Sequence, residues 1–350
     1  MKLVHGGDTV GYREKYGRDA LDFSANVSPL GMPEAVARAI GEAAFEADKY
    51  PDPLCRGLRA ALSEAEQLPK DWMLCGNGAA DLIFRLVWAK RPKHALVLAP
   101  TFAEYAAALE TADCEVRRYL LTERNDFALT EGILAAIEPP IDMVFLCQPN
   151  NPTGQAADRA LMRRILAKCE AVGALMVVDE CFLDFLPDSE AWTMKPDLAA
   201  HANLFILKAF TKLYGMAGVR LGYGLCSDAD LLARMRNAGQ PWSVSSLAQA
   251  AGLAALGQTE YVAQVRALIE TERPYLLSGL RTLGLRAIEG RANYLLFRAD
   301  AGLGDRLEAL GVVIRRCGNY PGLDETWYRT AVRTRRENDA LLAALREALA

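Results

Sequence analysis

The sequence lacks the features that mark membrane, secreted and nucleic-acid-binding proteins. Its 350 residues contain no apolar run long enough to span a bilayer, and the first residues lack the apolar core of a signal peptide. It has 40 basic and 44 acidic residues and no polybasic tract, which argues against nucleic acid or an anionic membrane as a partner. We therefore expect a cytoplasmic protein that binds neither.

Cysteine and histidine do not occur in metal-binding patterns. The eight cysteines are scattered without a CxxC pair, and none of the three histidines has ligand spacing to a cysteine pair. Several cysteines lie in apolar, strand-like runs, where reduced and buried thiols are the expected state. We expect no bound metal.

Short apolar runs alternate with amphipathic segments through the middle of the chain. Continuous apolar runs predict strands covered on both faces, as in a mostly parallel sheet flanked by helices. Strands are predicted at 94–100, 115–121, 142–149, 174–180, 203–209 and 220–226, and helices at 79–90, 102–112, 129–138 and 157–173. This pattern predicts a large α/β domain over residues 34–240.

The two ends of the chain differ from this middle part. Residues 1–33 are rich in Gly, Pro, Asn and Ser, which predicts an arm with little structure of its own. Residues 241–350 contain a long helical stretch from about 245 to 283, three short strands and a closing helix. This order predicts a small α+β domain.

The segment ILKAFTKLYGMAGVRLGY places one lysine, Lys212, after a short apolar strand, with glycines and Arg220 following it. A lysine that forms a Schiff base must be held and partly desolvated beside a carbonyl group. A surface lysine needs no such setting. The segment alone leaves both interpretations open.

Three other segments place polar groups at strand ends. Asn151, in PNNPTG, follows a buried strand where α/β proteins bind ligands, although a tight turn uses the same residues. Asp179 ends another strand, where it could meet a protonated ring nitrogen or cap the next helix. The Gly78–Ala80 amides, in GNGAAD, could hold a phosphate dianion or form an ordinary helix entry. Together these groups describe one site.

The motifs GNGAAD, PNNPTG, VVDE and TKLYGMAGVRLGY resemble those of the fold-type I pyridoxal-phosphate enzymes, in the aminotransferase class I and II family. The resemblance implies that Lys212 carries pyridoxal 5'-phosphate as a Schiff base, that Asp179 pairs with the ring nitrogen and that Asn151 bonds the ring hydroxyl. For the remaining contacts with the cofactor it implies phosphate binding by Thr211, Arg220, Gly78, Ala79 and Ala80, and ring stacking by Phe102. It further implies a homodimer with shared active sites, in which Tyr50 reaches the cofactor phosphate of the partner subunit.

Two positions depart from the pattern of transaminases. Phe182 stands where transaminases usually have a tyrosine that helps hold the ring oxygen, and Ala209 stands where many have a second phosphate-binding hydroxyl. The missing tyrosine argues against ordinary transamination.

The ends of the chain resemble the threonine-phosphate decarboxylases of cobalamin synthesis, through HGGD (5–8), LDFSANVSPLGMP (21–33), RANYLL (291–296) and IRRCGNYPGLDETWYRTAVR (314–333). This resemblance implies decarboxylation of O-phospho-L-threonine to (R)-1-amino-2-propanol O-2-phosphate and CO2. It implies that Arg329 binds the substrate carboxylate. It implies that Arg315, His5 and the Gly6 amide bind the substrate phosphate, and that Asn26 lies against the amino-acid portion. Asn151 is a further substrate contact that it implies.

Other functions stay open at this point. The histidinol-phosphate aminotransferases share the motifs of the large domain, but the HGG arm and the NYPGLD segment are not recognised as theirs. A decarboxylase of O-phospho-L-serine would need the same groups, because its substrate differs by one methyl. A non-catalytic cofactor-binding protein would have no need for Lys212, Asp179 and Asn151 together.

Overall fold

The computed structural model describes residues 6–350; the prediction for His5 lies outside this range. The helices are α1 (Thr9–Tyr16), α2 (Glu34–Ala43), α3 (Arg56–Glu66), α4 (Gly78–Lys90), α5 (Glu104–Glu110), α6 (Arg159–Ala171), α7 (Ser189–Trp192), α8 (Phe210–Leu213), α9 (Ala229–Asn237), α10 (Ser246–Leu256), α11 (Thr259–Thr282), α12 (Leu303–Ala309) and α13 (Arg335–Leu349). The strands are β1 (Leu21–Asp22), β2 (Met73–Gly76), β3 (His94–Ala99), β4 (Glu115–Leu120), β5 (Met143–Cys147), β6 (Leu175–Asp179), β7 (Leu204–Ala209), β8 (Gly222–Leu225), β9 (Arg286–Ala287), β10 (Tyr294–Arg298), β11 (Val312–Val313), β12 (Arg315–Arg316) and β13 (Trp327–Ala331).

The central sheet has seven strands in the order β2-β8-β7-β6-β5-β3-β4. Strands β4, β3, β5, β6 and β7 pair in parallel, whereas β8 is antiparallel to both of its neighbours, β7 and β2. All six predicted strands are present in this sheet. The predicted α/β class with a mostly parallel sheet is confirmed.

Both faces of this sheet are covered by helices, which explains the continuous apolar runs. On β5, Val144 and Leu146 point into a core shared with α2, α3, α6 and α10. Met143 and Phe145 alternate with them and point into the opposite core, shared with α4, α5 and α9. Because no residue of β5 meets solvent, apolar side chains are required at successive positions rather than alternate ones.

The apolar layers on the two faces of the large sheet together form the first core of the protein. A second core lies around the antiparallel sheet β12-β13-β10-β9. Helices α11, α12 and α13 pack against it, and the arm joins it where β1 pairs in parallel with β11. Phe23, next to β1, is completely buried in this core. The arm is therefore built into the second core.

The arm has more structure than the sequence predicted. The Asp8 side chain caps α1 by accepting from the Gly11 amide at 3.0 Å, and the Tyr12 hydroxyl donates to the Glu308 carbonyl at 2.9 Å. The cap stabilises the start of this short helix, and the Tyr12 bond joins the helix to α12. The helix predicted at 129–138 is shorter, a 3-10 turn at Glu131–Ala136.

The long helical stretch predicted for 245–283 is two helices. Helix α10 packs on α2 and α3 through Ala248, Ala251 and Ala255, on one face of the large sheet, whereas α11 belongs to the second core. The chain therefore moves from one core to the other between the two helices, after residue 256. The domain limits at residues 33 and 240 stay a prediction.

Lys208 of β7 forms ion pairs with Glu66 of α3 and with Asp184. The Lys208 amine lies 2.9 Å from Asp184 Oδ1 and 3.2 Å from Glu66 Oε1, and Lys195 lies 2.8 Å from Glu66 Oε2. Burial alone would raise the pKa of Glu66, but the two lysines lower it to about 2. Burial alone would lower the pKa of Lys208, but Asp184 and Glu66 raise it. Glu66 and Lys208 therefore stay charged at neutral pH.

We predict that Lys208→Met lowers the free energy of unfolding at pH 7 by about 3 kcal/mol, because it leaves Glu66 and Asp184 without their shared cation. Urea denaturation at pH 7 measures this. Lys49→Met is the matched control: Lys49 forms an exposed pair with Glu46, and its loss should change stability very little. Equal effects of the two changes would contradict the prediction.

Candidate active site

A cleft of about 590 Å³ lies where the carboxyl ends of the large-sheet strands face the second sheet and the arm. Most of the residues predicted from the sequence line it, namely Gly6, Asn26, Ala79, Ala80, Phe102, Asn151, Asp179, Thr211, Lys212, Arg220, Arg315 and Arg329. The parallel strands all end at this edge, which brings segments that are distant in sequence into one site.

Lys212 lies in the short helix α8, directly after β7. Burial lowers the pKa of its amine to about 8, and the positive charges of Arg329 and Arg220 act in the same direction. The amine lies 5.6 Å from the centre of the Phe182 ring. A substantial fraction of the amine is therefore neutral near physiological pH, as a nucleophilic lysine requires.

Asp179 ends β6 with its carboxylate buried and held at both oxygens. Tyr105 donates its hydroxyl to Oδ2 at 2.6 Å, and the Cys181 amide donates to Oδ1 at 3.0 Å. Burial and the charge of Asp179 raise the pKa of Tyr105 well above 10, so the phenol stays protonated and remains a donor. The carboxylate thus has a fixed orientation toward the cleft.

Arg329, on β13, is buried and bonds to two other parts of the chain. It donates to Asn151 Oδ1 at the end of β5, and its Nη2 donates to the Ser24 carbonyl at 2.8 Å. With the Asn26 amide turned so that its oxygen faces the guanidinium, that oxygen accepts from Nε at 3.1 Å and from Nη1 at 3.2 Å. Asn26 therefore lies against the guanidinium of Arg329.

Arg315 is the direct cross-strand partner of Arg329, and both side chains are buried. Arg315 Nη2 donates to Asn319 Oδ1 at 2.8 Å, and the guanidinium lies 5.2 Å from the centre of the Tyr320 ring. Arg316, next to it, is exposed and pairs with Asp305 at 2.9 Å. Of the neighbours Arg315 and Arg316, only Arg315 lines the cleft.

The start of α4 and Arg220 form an anion cradle. Gly78 has φ +81°, and a Cβ at this position would lie 2.8 Å from Arg220 Nη2. Only glycine lets the guanidinium approach the first turn of the helix this closely. Ala79 and Ala80 line the cleft at this helix N-terminus, where free amides favour a dianion.

These groups fit pyridoxal phosphate. The cradle at α4 suits its phosphate, the buried carboxylate of Asp179 suits a protonated ring nitrogen, and the amine of Lys212 suits its aldehyde. Phe102 lines the same cleft and packs edge-on against Tyr105, with 5.5 Å between ring centres.

Two predicted residues are not among those that line the cleft. Gly78 shapes the cradle from behind, through its contact with Arg220. Tyr50 is 80% exposed and stacks on Trp242 with 4.6 Å between ring centres.

The sequence did not reveal Tyr105, Ser24, Asp22 or Tyr320. Tyr105 lies three residues after Phe102 on an apolar helix face, where an ordinary core residue was the simpler interpretation. Asp22 and Ser24 lie within the quoted segment LDFSAN, but only Asn26 was singled out there.

Other kinds of site have little support in the described part of the chain. Within residues 6–350, no group of three or more His, Cys, Asp and Glu side chains is placed to hold a metal ion. The helices in that same range include none that is both long and apolar enough to cross a membrane. All eight cysteines fall in this range and are buried, free thiols.

The family model for aminotransferase class I and II matches residues 18–345. The chain belongs to this family. A threonine-phosphate decarboxylase of Salmonella typhimurium is 40% identical over 333 residues, covering 94% of this chain and 91% of that protein. Histidinol-phosphate aminotransferase 1 of Cupriavidus pinatubonensis is 34% identical over 341 residues, covering 93% and 88%. The crystal structure of the histidinol-phosphate aminotransferase from Clostridium acetobutylicum matches with a TM-score of 0.88 at 27% identity, covering 94% of this chain and 98% of that one.

For this member of the aminotransferase family, the buried amine predicts a pH-dependent cost in stability. At pH 7 and without cofactor, Lys212→Met should raise the free energy of unfolding by up to about 3 kcal/mol, because the pKa of the amine falls from 10.5 unfolded to about 8 folded. Between pH 8 and 10.5 the unfolded chain binds more protons, so the wild type gains stability and the difference shrinks. Urea denaturation of both proteins at pH 7 and pH 10 measures it, and a constant difference would contradict the prediction.

Proposed function

We propose that the protein is a pyridoxal-phosphate-dependent decarboxylase that converts O-phospho-L-threonine into (R)-1-amino-2-propanol O-2-phosphate and CO2, the reaction of cobalamin synthesis that the sequence resemblance implies. The similarity to the Salmonella enzyme extends over 94% of this chain. The eight buried thiols support a reducing, cytoplasmic location.

The observation that carries this proposal is the pair of buried arginines on one wall of the cleft. Arg315 and Arg329 face each other directly across β12 and β13. Like charges at directly opposite positions destabilise a sheet, and bound anions would offset that repulsion. A substrate with a carboxylate and a phosphate supplies one anion to each guanidinium, in charge-assisted hydrogen bonds.

Other residues near the two arginines would also contact the carboxylate and the phosphate of the substrate. The substrate carboxylate takes the edge of Arg329 on which the Asn26 oxygen lies in the free protein. The substrate phosphate takes Arg315 and the Gly6 amide, with His5 as the third contact. Asn151, whose oxygen is held by Arg329, keeps its amide nitrogen for the ring oxygen of the cofactor and the amino-acid portion.

Other residues of the cleft would hold the cofactor. Lys212 would bind its carbonyl carbon, Asp179 would pair with the ring nitrogen, and Phe102 would stack on the ring. Its phosphate would take Thr211, Arg220 and the amides of Gly78, Ala79 and Ala80. When bound, pyridoxal phosphate supplies an electron sink for the pair released by a bond that breaks at Cα.

The chain decides which bond at Cα breaks. Two anchors on one wall, Arg329 and Arg315, would hold the substrate at two points and so fix its rotation about Cα, which selects the bond to the carboxylate over the bond to hydrogen. The carboxylate leaves as CO2, and Cα takes up one proton. The amine of Lys212 lies in the same cleft and would deliver that proton as a general acid.

Phe182 fits this assignment. Its ring is buried, packs edge-on against Tyr294 with 5.0 Å between ring centres and lies beside the Lys212 amine. A phenyl ring can donate no hydrogen bond to the ring oxygen of the cofactor, so Asn151 remains the donor there. Ala209 lines the cleft without a hydroxyl.

The reaction is tested by a product assay on the cofactor-loaded protein. With O-phospho-L-threonine and no keto acid, we expect equal amounts of CO2 and aminopropanol phosphate. O-phospho-L-serine should react more slowly, because one methyl contributes only about 1–3 kcal/mol to discrimination. Absence of CO2, together with amino transfer from histidinol phosphate to 2-oxoglutarate, would identify an aminotransferase instead.

In the same assay, Arg329→Ala should lower kcat/KM by roughly 10–150-fold, because hydrogen bonds to a charged group contribute about 1.5–3 kcal/mol. Arg316→Ala is the matched control, since this arginine is exposed and pairs with Asp305. It should leave kcat/KM nearly unchanged. Similar losses in both variants would show that the damage is to the sheet and not to substrate binding.

We also propose a homodimer with shared active sites. Tyr50 and Trp242 form an exposed aromatic pair, and Phe45, also on the surface, is 89% exposed. A partner subunit that covers this face would bury these rings and receive the Tyr50 hydroxyl at its cofactor phosphate.

Sedimentation should therefore give twice the chain mass, and Tyr50→Phe should weaken pyridoxal-phosphate binding about five-fold through the loss of one hydrogen bond. Thr122→Val, which removes an exposed hydroxyl that bonds Asn125, should leave cofactor affinity unchanged. A monomer in solution would exclude shared sites.

A further inference from the structure

Ser24 contacts both the start of the arm, at Gly7, and the substrate wall of the cleft, which is formed by Arg315 and Arg329. Its Oγ accepts from the Gly7 amide at 2.7 Å and donates to Asp22 Oδ1 at 2.6 Å. Its backbone carbonyl accepts from Arg329 Nη2 at 2.8 Å. The residue is 3% exposed, so water cannot readily replace any of these partners.

Asp22 fixes the direction of the Ser24 hydroxyl. The same carboxylate oxygen also accepts from the Ser24 backbone amide at 2.7 Å, which closes a short turn. The hydroxyl hydrogen is therefore committed to Asp22, and the oxygen lone pairs face Gly7. The hydroxyl is thus oriented to accept from the Gly7 amide, and its hydrogen is not available to a third group.

Gly6 packs directly on Ser24. A Cβ at Gly6 would lie 2.6 Å from the Ser24 carbonyl oxygen and 2.8 Å from its Oγ. Only glycine permits this approach. The packing against Ser24 thus determines the position of the Gly6–Gly7 segment.

The Gly6–Gly7 segment lies between two cavities. A second cavity, also of about 590 Å³, shares Gly6, Gly7, Ser24 and Arg315 with the active cleft. Its wall on the arm side includes Tyr12 and Lys15 of α1. The position of this segment therefore determines how the space around Arg315 is divided.

We infer that Ser24, oriented by Asp22, is a positioning residue for the substrate phosphate. It holds the Gly6–Gly7 segment through the Gly7 amide, and its carbonyl bonds Arg329, so the Gly6 amide keeps its place on the substrate wall. This inference rests on the proposed function, which assigns the phosphate to Gly6 and Arg315. Ser24 acts through these groups and makes no bond to the reacting atoms.

The kinetic test compares three variants of the cofactor-loaded enzyme with O-phospho-L-threonine. Ser24→Ala should raise KM about five-fold and leave kcat within about two-fold, because the phosphate is held equally in the ground state and the transition state. Ser24→Thr retains the hydroxyl and should restore KM. Ser28→Ala removes a hydroxyl four residues away that accepts from Tyr261 and Leu30 and not from Gly6 or Gly7, and it should leave KM unchanged.

Hydrogen exchange gives a readout independent of turnover. In Ser24→Ala, a peptide that contains Gly6 and Gly7 should exchange faster, with no change in peptides from the large sheet. Inorganic phosphate, added as the probe, should slow exchange of this peptide in the wild type and in Ser24→Thr, and much less in Ser24→Ala. The Ser28→Ala protein should behave as the wild type.

Three outcomes overturn the inference: unchanged exchange of the arm peptide in Ser24→Ala, a loss of kcat in place of a rise in KM, or equal effects of Ser24→Ala and Ser28→Ala. The failure of the proposed function looks different. A wild type that releases no CO2 would remove the decarboxylase assignment, whereas the phosphate-dependent exchange of the arm peptide would still decide whether Ser24 positions it.

Discussion

The guanidinium of Arg329 is the interaction on which the site depends. It lies on β13 of the second core and bonds Asn151 at the edge of the large sheet and Ser24 in the arm. A buried guanidinium needs partners for its donors, so these three parts of the chain must be docked together before it is stable. The substrate wall and the cofactor wall are therefore parts of one folding unit, although they belong to different cores.

Lys208 and Lys212 show how placement of charge decides the chemistry of a buried lysine. They lie four residues apart, and burial lowers the pKa of both amines. Lys208 meets Asp184 and Glu66, which raise its pKa, whereas Lys212 lies near Arg329 and Arg220, which lower its pKa further. One lysine is thus a permanent cation that stabilises the fold, and the other can exchange a proton near neutral pH.

Much of the fold could be predicted because it depends on local patterns. Strand β5 is apolar at every position since both of its faces are covered, and Asp179 and Lys212 could be noticed because each follows such a strand. The direction of β8 could not be predicted, since an antiparallel strand between helical layers has the same composition as a parallel one. The alanine face of α10 gave no indication of which core it would join.

The contacts missed at the site are those between distant segments. The bond from Tyr105 to Asp179 joins residues 74 positions apart, and Tyr105 also stacks on Phe145 like an ordinary core residue. Ser24 looks like one of many small polar residues in an arm. Their importance comes from the group each one meets in space, which no local pattern records.

The cross-strand pairing of Arg315 and Arg329 also limits the shape of the substrate. Opposite residues in an antiparallel pair have Cα atoms only about 4.5–5.5 Å apart, so the two guanidiniums approach a bound molecule from neighbouring positions. In O-phospho-L-threonine the carboxylate is attached to Cα and the phosphate to the adjacent carbon through one oxygen. Histidinol phosphate has a phosphate but no carboxylate, so it offers an anion to only one arginine of the pair. The two arginines therefore suit a small substrate with two anionic groups, each of which can form charge-assisted hydrogen bonds. By comparison, one methyl group changes the binding free energy little, and selection between threonine and serine phosphate is the weaker of the two discriminations.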